Sequence, residues 1–359
     1  MTANGRWPAL PVDAIVSEHQ NKTRHKPCTS EEGAAVRVSM RRACIVVAAV
    51  FGGLAMPLAV GAVHAQDKLK IAVGQRGNWD TSISELGQRA GIFKKHGLEL
   101  ELLYTQGGGE TQQAVISGSV DIGVGAGVMG VLAAYSKGAP VRIVGAETTG
   151  AADLFWYVDA KSPIKSLKDT DGKTLAYSTN GSSTHGIVNA LIRQFDLKSK
   201  ATGTGGPPAT LTQVMSGQID VGWSAPPFGL NLLDEGKIRI IATGNDSTVF
   251  KGQTVRLLIA NKSVLAAQKG VIDRYMKAYR ETIDWMYADA AAIKTYAEFL
   301  GIGEPLAKRT RDDFFPKAAL DPDKIIGLET IVPDAVTLKY TAAPLTKEQL
   351  AELIQIPPR

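Results

Sequence analysis

Apolar and polar positions in this chain change rhythm repeatedly. From Lys68 onward, short apolar runs read as strands: Leu69–Val73, Leu98–Tyr104, Asp121–Val124, Val141–Ala146, Leu154–Val158, Thr174–Tyr177, Ile219–Trp223, Ile238–Ala242 and Val255–Ile259. The stretches between them read as helices: Ser82–His96, Thr111–Ser117, Val128–Ser136, Thr184–Phe195, Leu211–Ser216 and Pro227–Glu235. Strand, helix, strand at this pitch predicts mainly parallel sheets in an α/β fold. Beyond Asn261 the pattern turns helical. A short helix and a long amphipathic one span Lys262–Leu300, with further helices expected near Glu304–Asp313, Pro322–Leu328 and Lys347–Leu353.

The pattern also repeats. Val115-Ile-Ser-Gly-Ser-Val-Asp-Ile-Gly-Val-Gly-Ala126 matches Val214-Met-Ser-Gly-Gln-Ile-Asp-Val-Gly-Trp-Ser-Ala225, and each copy leads through a helix to Val-Arg-Ile-Val (141–144) or Ile-Arg-Ile-Ile (238–241). In each unit a helix ends at Gly118 or Gly217, where glycine accepts the left-handed turn. An aspartate, Asp121 or Asp220, then opens a buried strand. Two such copies predict two similar lobes, and the place of the aspartates in the repeat assigns them to strand starts rather than to a pair of catalytic acids.

The first 65 residues follow neither rhythm. Met1–Val38 is polar and aperiodic; Arg41-Arg42 precede an uncharged stretch from Ala43 to Val63, which ends at His64-Ala65-Gln66. A basic pair, an apolar run and small residues at 63 and 65 make a secretory signal peptide over 40–65, with cleavage expected after Ala65. A membrane anchor is the competing reading of so long a run. Gly52, Gly53, Pro57 and Gly61, and the lack of a basic cluster after it, favour the signal peptide. The flanks of a twin-arginine signal are missing. Residues 1–39 are expected to be an over-extended reading frame or a disordered extension, with Met40 the start.

This leader changes what composition implies. The 359-residue chain has 40 Lys/Arg, 35 Asp/Glu and a pI near 9.0, a basic balance that would suit nucleic acid or a membrane surface. Seven of the basic and four of the acidic residues lie before residue 66, leaving 33 against 31. The two cysteines, Cys28 and Cys44, lie there too. The remaining chain is near neutral and has no basic stripe interleaved with aromatics, so no nucleic-acid partner is expected. With only His96 and His185 left and no thiol, a His/Cys metal centre is excluded and a nucleophilic triad is hard to build. There is no phosphate-binding loop and no dinucleotide fingerprint. No cofactor and no metal are expected.

Four motifs then carry a resemblance. Gly91-Ile-Phe-Lys-Lys-His-Gly-Leu-Glu-Leu-Glu101, Ser117-Gly-Ser-Val-Asp-Ile-Gly123, Ser166-Leu-Lys-Asp-Thr-Asp-Gly-Lys173 and Ser216-Gly-Gln-Ile-Asp220 occur in order over 68–246. The chain resembles the periplasmic nitrate/sulfonate/taurine-type substrate-binding proteins of ABC importers, a group that also includes binders of thiamine-precursor pyrimidines. The resemblance implies a two-lobed, type II periplasmic-binding-protein fold, each lobe a mainly parallel sheet flanked by helices, with the ligand cleft between the lobes. Lobe one would hold 66–155 plus 250–359 and lobe two 156–249, with crossings near Ala151–Tyr157 and Phe250–Leu257. It implies a periplasmic, monomeric binding protein and not an enzyme, whose partners are a small-molecule ligand and a membrane permease. An enzyme acting on a pyrimidine or small carboxylate, and a periplasmic sensor module, are the alternatives on the same fold.

In open α/β sheets, ligands sit beyond the carboxyl ends of strands and against helix starts. That rule selects four segments. In Gly74–Asp80, Trp79 would stack on a ligand or cap the core, Arg76 would pair with an acid or lie in solvent, and Asp80 is the one carboxylate of the loop. Gly125, Ala126 and Gly127 form a turn that lets backbone N–H groups approach a ligand. Ser178, Thr179, Asn180, Gly181, Ser182, Ser183, Thr184 and His185 gather hydroxyls and amides at a helix start, the best oxyanion cradle in the chain, where one serine serves as the cap. Trp223 and Ser224 are the repeat counterparts of Val124 and Gly125, with the tryptophan either in the cleft or in the core. The ligand expected of this set is a small organic anion.

Overall fold

The computed structural model describes residues 66–359; the expected leader and its cleavage position lie outside the described residues. In chain order the strands are β1 (Asp67–Val73), β2 (Leu98–Tyr104), β3 (Ile122–Gly127), β4 (Val141–Thr149), β5 (Phe155–Asp159), β6 (Thr174–Tyr177), β7 (Lys200–Gly203), β8 (Gly222–Ser224), β9 (Ile238–Thr243) and β10 (Thr254–Asn261). Helices interleave with them: α1 (Ile83–Arg89), α2 (Ile92–Lys95), α3 (Gly108–Ile116), α4 (Val128–Ser136), α5 (Ser183–Gln194), α6 (Pro207–Met215) and α7 (Leu230–Asp234). After β10 come α8 (Lys262–Ala267), α9 (Lys269–Ala288), α10 (Ala291–Leu300), α11 (Glu304–Phe314), α12 (Leu328–Thr337) and α13 (Lys347–Leu353).

Sheet one has the order β2-β1-β3-β10-β4, with β1 parallel to β2 and β3 and only β10 antiparallel to its neighbours. The second lobe reproduces it. Strand β5 runs antiparallel between β8 and β9, β6 pairs in parallel with β7, and the Leu175–Val221 bridge joins the two sets into β7-β6-β8-β5-β9. In each lobe the single antiparallel strand is the one that has just arrived from the other lobe, through residues 150–154 or 244–253. This is the periplasmic-binding-protein fold.

The repeat has its structural meaning here. Asp121 Oδ2 accepts from the Lys70 N–H at 2.8 Å and Asp220 Oδ2 from the Thr174 N–H at 2.9 Å, so each aspartate ties the start of its strand to the neighbouring one. Gly118 and Gly217 both have φ 74°, the left-handed turn that a side chain would strain.

Three local expectations are corrected. The helix expected over Ser82–His96 is two helices, because Gly91 at φ 75° interrupts the ladder. Residues 322–327 are not helical; the helix starts after Gly327 and runs through Pro333. Strand β7 was not anticipated, since as a largely exposed edge strand its residues Lys200-Ala-Thr-Gly203 carry no apolar alternation. The long helix α9 buries Tyr275, Met276, Tyr279, Ile283 and Met286 against lobe one, the amphipathic face its sequence shows.

Candidate functional site

The carboxyl ends of β1, β2, β3 and β6 meet between the lobes and enclose a small cavity of about 20 Å³. Six of the expected residues line it: Gly125, Ser178, Ser182, Ser183, Thr184 and Trp223. Local chemistry builds this wall. Ser182 caps α5, its Oγ accepting from the His185 N–H at 3.2 Å. Thr184 Oγ1 accepts from the Ser178 N–H at 2.9 Å and meets the Ser178 and Ser182 hydroxyls, which locks the turn. The first-turn N–H groups of a helix have no acceptor within it, so the start of α5 presents donors and partial positive charge to the cavity. The start of α3, at Gly107 and Gly108, does the same from lobe one.

Glycines let the two lobes touch. A Cβ on Gly107 would lie 2.6 Å from Ser178 Oγ, and one on Gly127 2.5 Å from the Ser183 nitrogen. Gly130 faces the Gly181 backbone, again with no room for a side chain. The Gly109 N–H donates across the gap to Thr179 Oγ1 at 3.0 Å. Gly127 and Gly181 therefore belong to the lobe contact. Thr179 and Asn180 line an open groove beside the cavity, where Asn180 Oδ1 accepts from the Tyr177 hydroxyl at 2.6 Å.

The remaining expected residues are placed away from the cavity. Trp79 is a core residue of lobe one, edge-on to Tyr287 and Tyr296, with its indole N–H donated to the Tyr287 hydroxyl at 3.1 Å. Arg76 is exposed; its guanidinium lies 4.4 Å from the Phe299 ring and donates to the Phe299 carbonyl. Ala126 is buried in sheet one opposite Leu257. The Ser224 hydroxyl donates to the Phe228 carbonyl at 3.0 Å. His185 sits against Tyr177, its Nδ1 accepting from the Gly181 N–H at 3.1 Å and facing the Tyr340 hydroxyl at 2.9 Å. Burial lowers its pKa, which favours the neutral ring that these bonds require.

Asp80 stands behind the cavity and leads to its main electrostatic feature. Arg256, on β10, lines the cavity floor. Its Nη2 donates to Asp153 Oδ2 at 2.7 Å, and its Nε lies 3.0 Å from Asp80 Oδ2, an ion pair outside hydrogen-bond geometry. Thr148 Oγ1 donates to the same Asp80 oxygen at 2.8 Å. Glu147 completes the group; the Gly125 backbone lies beside it, and neither carboxylate oxygen has a hydrogen-bond partner. Burial pushes the Glu147 carboxyl well up, helped by the Asp80 charge and opposed by Arg256. Two amides also face the cavity with an unpaired oxygen each, Gln75 Oε1 and Asn78 Oδ1.

Arg256, Gly107 and Gly108 were missed from sequence, and in the selected loop Gly74–Asp80 the reading singled out Arg76, Trp79 and Asp80 rather than Gln75 and Asn78. One signal was legible, a lone arginine inside the apolar run Val255–Ile259. The others became visible only when the loops after β1 and β2 were brought against lobe two.

Comparison with known proteins gives the frame for this site. A Brucella abortus protein described as a candidate binding protein is 24% identical over 258 residues, covering 69% of this chain and 78% of its own. The alkanesulfonate-binding protein SsuA of Xanthomonas axonopodis pv. citri, solved bound to MOPS, superposes with a TM-score of 0.65 at 19% identity, covering 81% of this chain and 99% of its own. A desulfurization enzyme, DszB, shares the fold at a TM-score of 0.56 and 15% identity, over 81% of this chain and 97% of its own. Binding proteins and an enzyme thus stand on one scaffold. The NMT1/THI5-like family model matches residues 85–293, more than half of the sequence, and the chain belongs to that family.

Proposed function

We propose that this protein is the periplasmic solute-binding component of an ABC importer, and that its lobes close around a small organic anion. One observation carries the reading: the starts of α3 and α5 and the Arg256 guanidinium converge on a single cavity between two lobes. Helix-start amides and a fixed guanidinium are donors only, so they favour an acceptor-rich, negatively charged group. Sulfonate and carboxylate meet that requirement. A binding role is supported over catalysis because the groups at the cavity are backbone amides, hydroxyls, side-chain amides and an arginine, none of them a base near neutral pH. His185, the ring that general-base chemistry would call on, is held outside the cavity by Gly181 and Tyr340.

In this reading the protein acts as a monomer, and the closed lobes present one surface to a membrane permease. A thermal-shift screen tests it, with methanesulfonate, acetate and nitrate set against neutral heterocycles. Anions are expected to raise the melting temperature by binding the native state. Stabilisation by the heterocycles alone overturns the anion reading, and conversion of a bound probe to product overturns the binding role. Loss of uptake in cells lacking the protein separates import from sensing.

A further inference from the structure

The carboxylates behind the cavity outnumber the cation that compensates them. Arg256 at 4% exposure faces Asp80 at 0%, Asp153 at 2% and Glu147 at 1%. These groups come from four places: the turn after β1, the end of β4, the 150–154 crossing and β10. The other titratable groups facing them are neutral. They are the hydroxyls of Tyr275, Tyr279 and Tyr287 on α9 and of Tyr296 on α10, all pushed further from ionisation by burial. Arg256 is the cation that acts on both Glu147 and Asp153. It also stands between these acids and the cavity.

On the reading that the cavity takes an anion, we infer that docking of the anion at Arg256 is coupled to uptake of one proton by the carboxylates behind it. An anion in the cavity shares the guanidinium charge that had been compensating Asp80 and Asp153. In a water-poor interior that added negative charge raises the proton affinity of every acid nearby. The proton comes from bulk water and forms an O–H bond on a carboxylate of the cluster, so the ligand's charge enters the closed cleft already balanced. Asp153 is the acceptor that fits. It sits on Arg256 Nη2, and burial, working against Arg256, lifts its carboxyl to about 6. Burial raises the Glu147 carboxyl as well, with the Asp80 charge adding to the rise and Arg256 opposing it. The cluster titrates as a unit, so the observable is a proton count.

The test uses methanesulfonate, which stays ionised throughout, so that its own titration adds nothing. Binding is measured from about pH 8 to about pH 5, together with proton uptake in weakly buffered solution. Affinity is expected to rise by up to about tenfold per pH unit as pH falls toward 6 and to level off below it, with about one proton taken up per ligand near pH 7. Asp153→Asn is expected to bind with a flat pH profile, whereas a profile that stays sloped there and flattens in Glu147→Gln keeps the coupling and moves the proton to Glu147. Binding with no proton uptake and no pH dependence in the wild-type protein overturns the inference and leaves the anion reading standing. Absence of binding at every pH overturns both.

Discussion

Arg256 and His185 illustrate how far a residue's role depends on what surrounds it. Arg256 is held by two buried carboxylates. Removing its charge leaves those acids uncompensated, so Arg256→Met is expected to destabilise the fold by about 3–5 kcal/mol, read from urea denaturation. Arg256→Lys keeps the charge and loses the fork. It is expected to retain most of the stability while weakening methanesulfonate binding by at least about tenfold in a titration, because an ammonium cannot reach both acids and the ligand. His185 makes the opposite electrostatic case. Burial lowers its pKa below the ordinary value of 6.5, so the unfolded chain binds a proton more readily than the folded one. The stability it contributes is present above pH 6.5 and is lost as pH falls below that, through the folded-state pKa. His185→Asn is therefore expected to show a smaller loss of unfolding free energy than the wild type between about pH 7 and pH 5 in denaturant titrations.

At the scale of elements, helices α4 and α5 meet without side chains between them. Gly130 of α4 lies against the Gly181 backbone, and Gly127 against Ser182 and Ser183. A glycine inside a helix costs about 1 kcal/mol relative to alanine, so its place in α4 needs a contact as its reason. Gly130→Ala is expected to leave thermal stability equal or slightly higher, since α4 gains helix propensity. The same change is expected to weaken methanesulfonate binding by about tenfold or more, because a methyl group keeps the lobes apart. Small-angle scattering with and without methanesulfonate reads it directly: the wild-type protein contracts and the variant does not. Equal affinity in the two proteins would remove this contact from the closing mechanism.

For the whole molecule, the organising fact is that both sheets have one strand order and exchange one strand each. The chain crosses between lobes twice, and the Arg256–Asp153 pair ties the first crossing to the start of β10, the strand that follows the second. On the proposed reading, a ligand on Arg256 would touch the hinge as well as the cleft, and closure and charge balance would be parts of one event. The near-neutral balance of the chain after residue 65 suits this arrangement, since the charge that matters is one buried guanidinium and not a surface field.

The alternation of strands and helices, the repeated Ser-Gly-x-x-Asp unit and the strand-start role of Asp121 and Asp220 were all legible in the sequence, because each rests on contacts between residues close in the chain or on a period it imposes. So was the Ser178–Thr184 turn at the cavity, since a cap and its hydroxyls announce a helix start. What the sequence could not decide was direction. Trp79 and Trp223 both sit where a strand gives way to a loop, yet one faces the core of lobe one and the other faces the cavity. That choice depends on Tyr287 and Tyr296, more than 200 residues downstream of Trp79. The Asp80–Glu147–Asp153–Arg256 cluster likewise draws on four distant segments, because pairing of buried charges is set by which backbones the fold brings together. Local pattern determined the elements of this protein, and only their packing decided which polar groups the cavity would see.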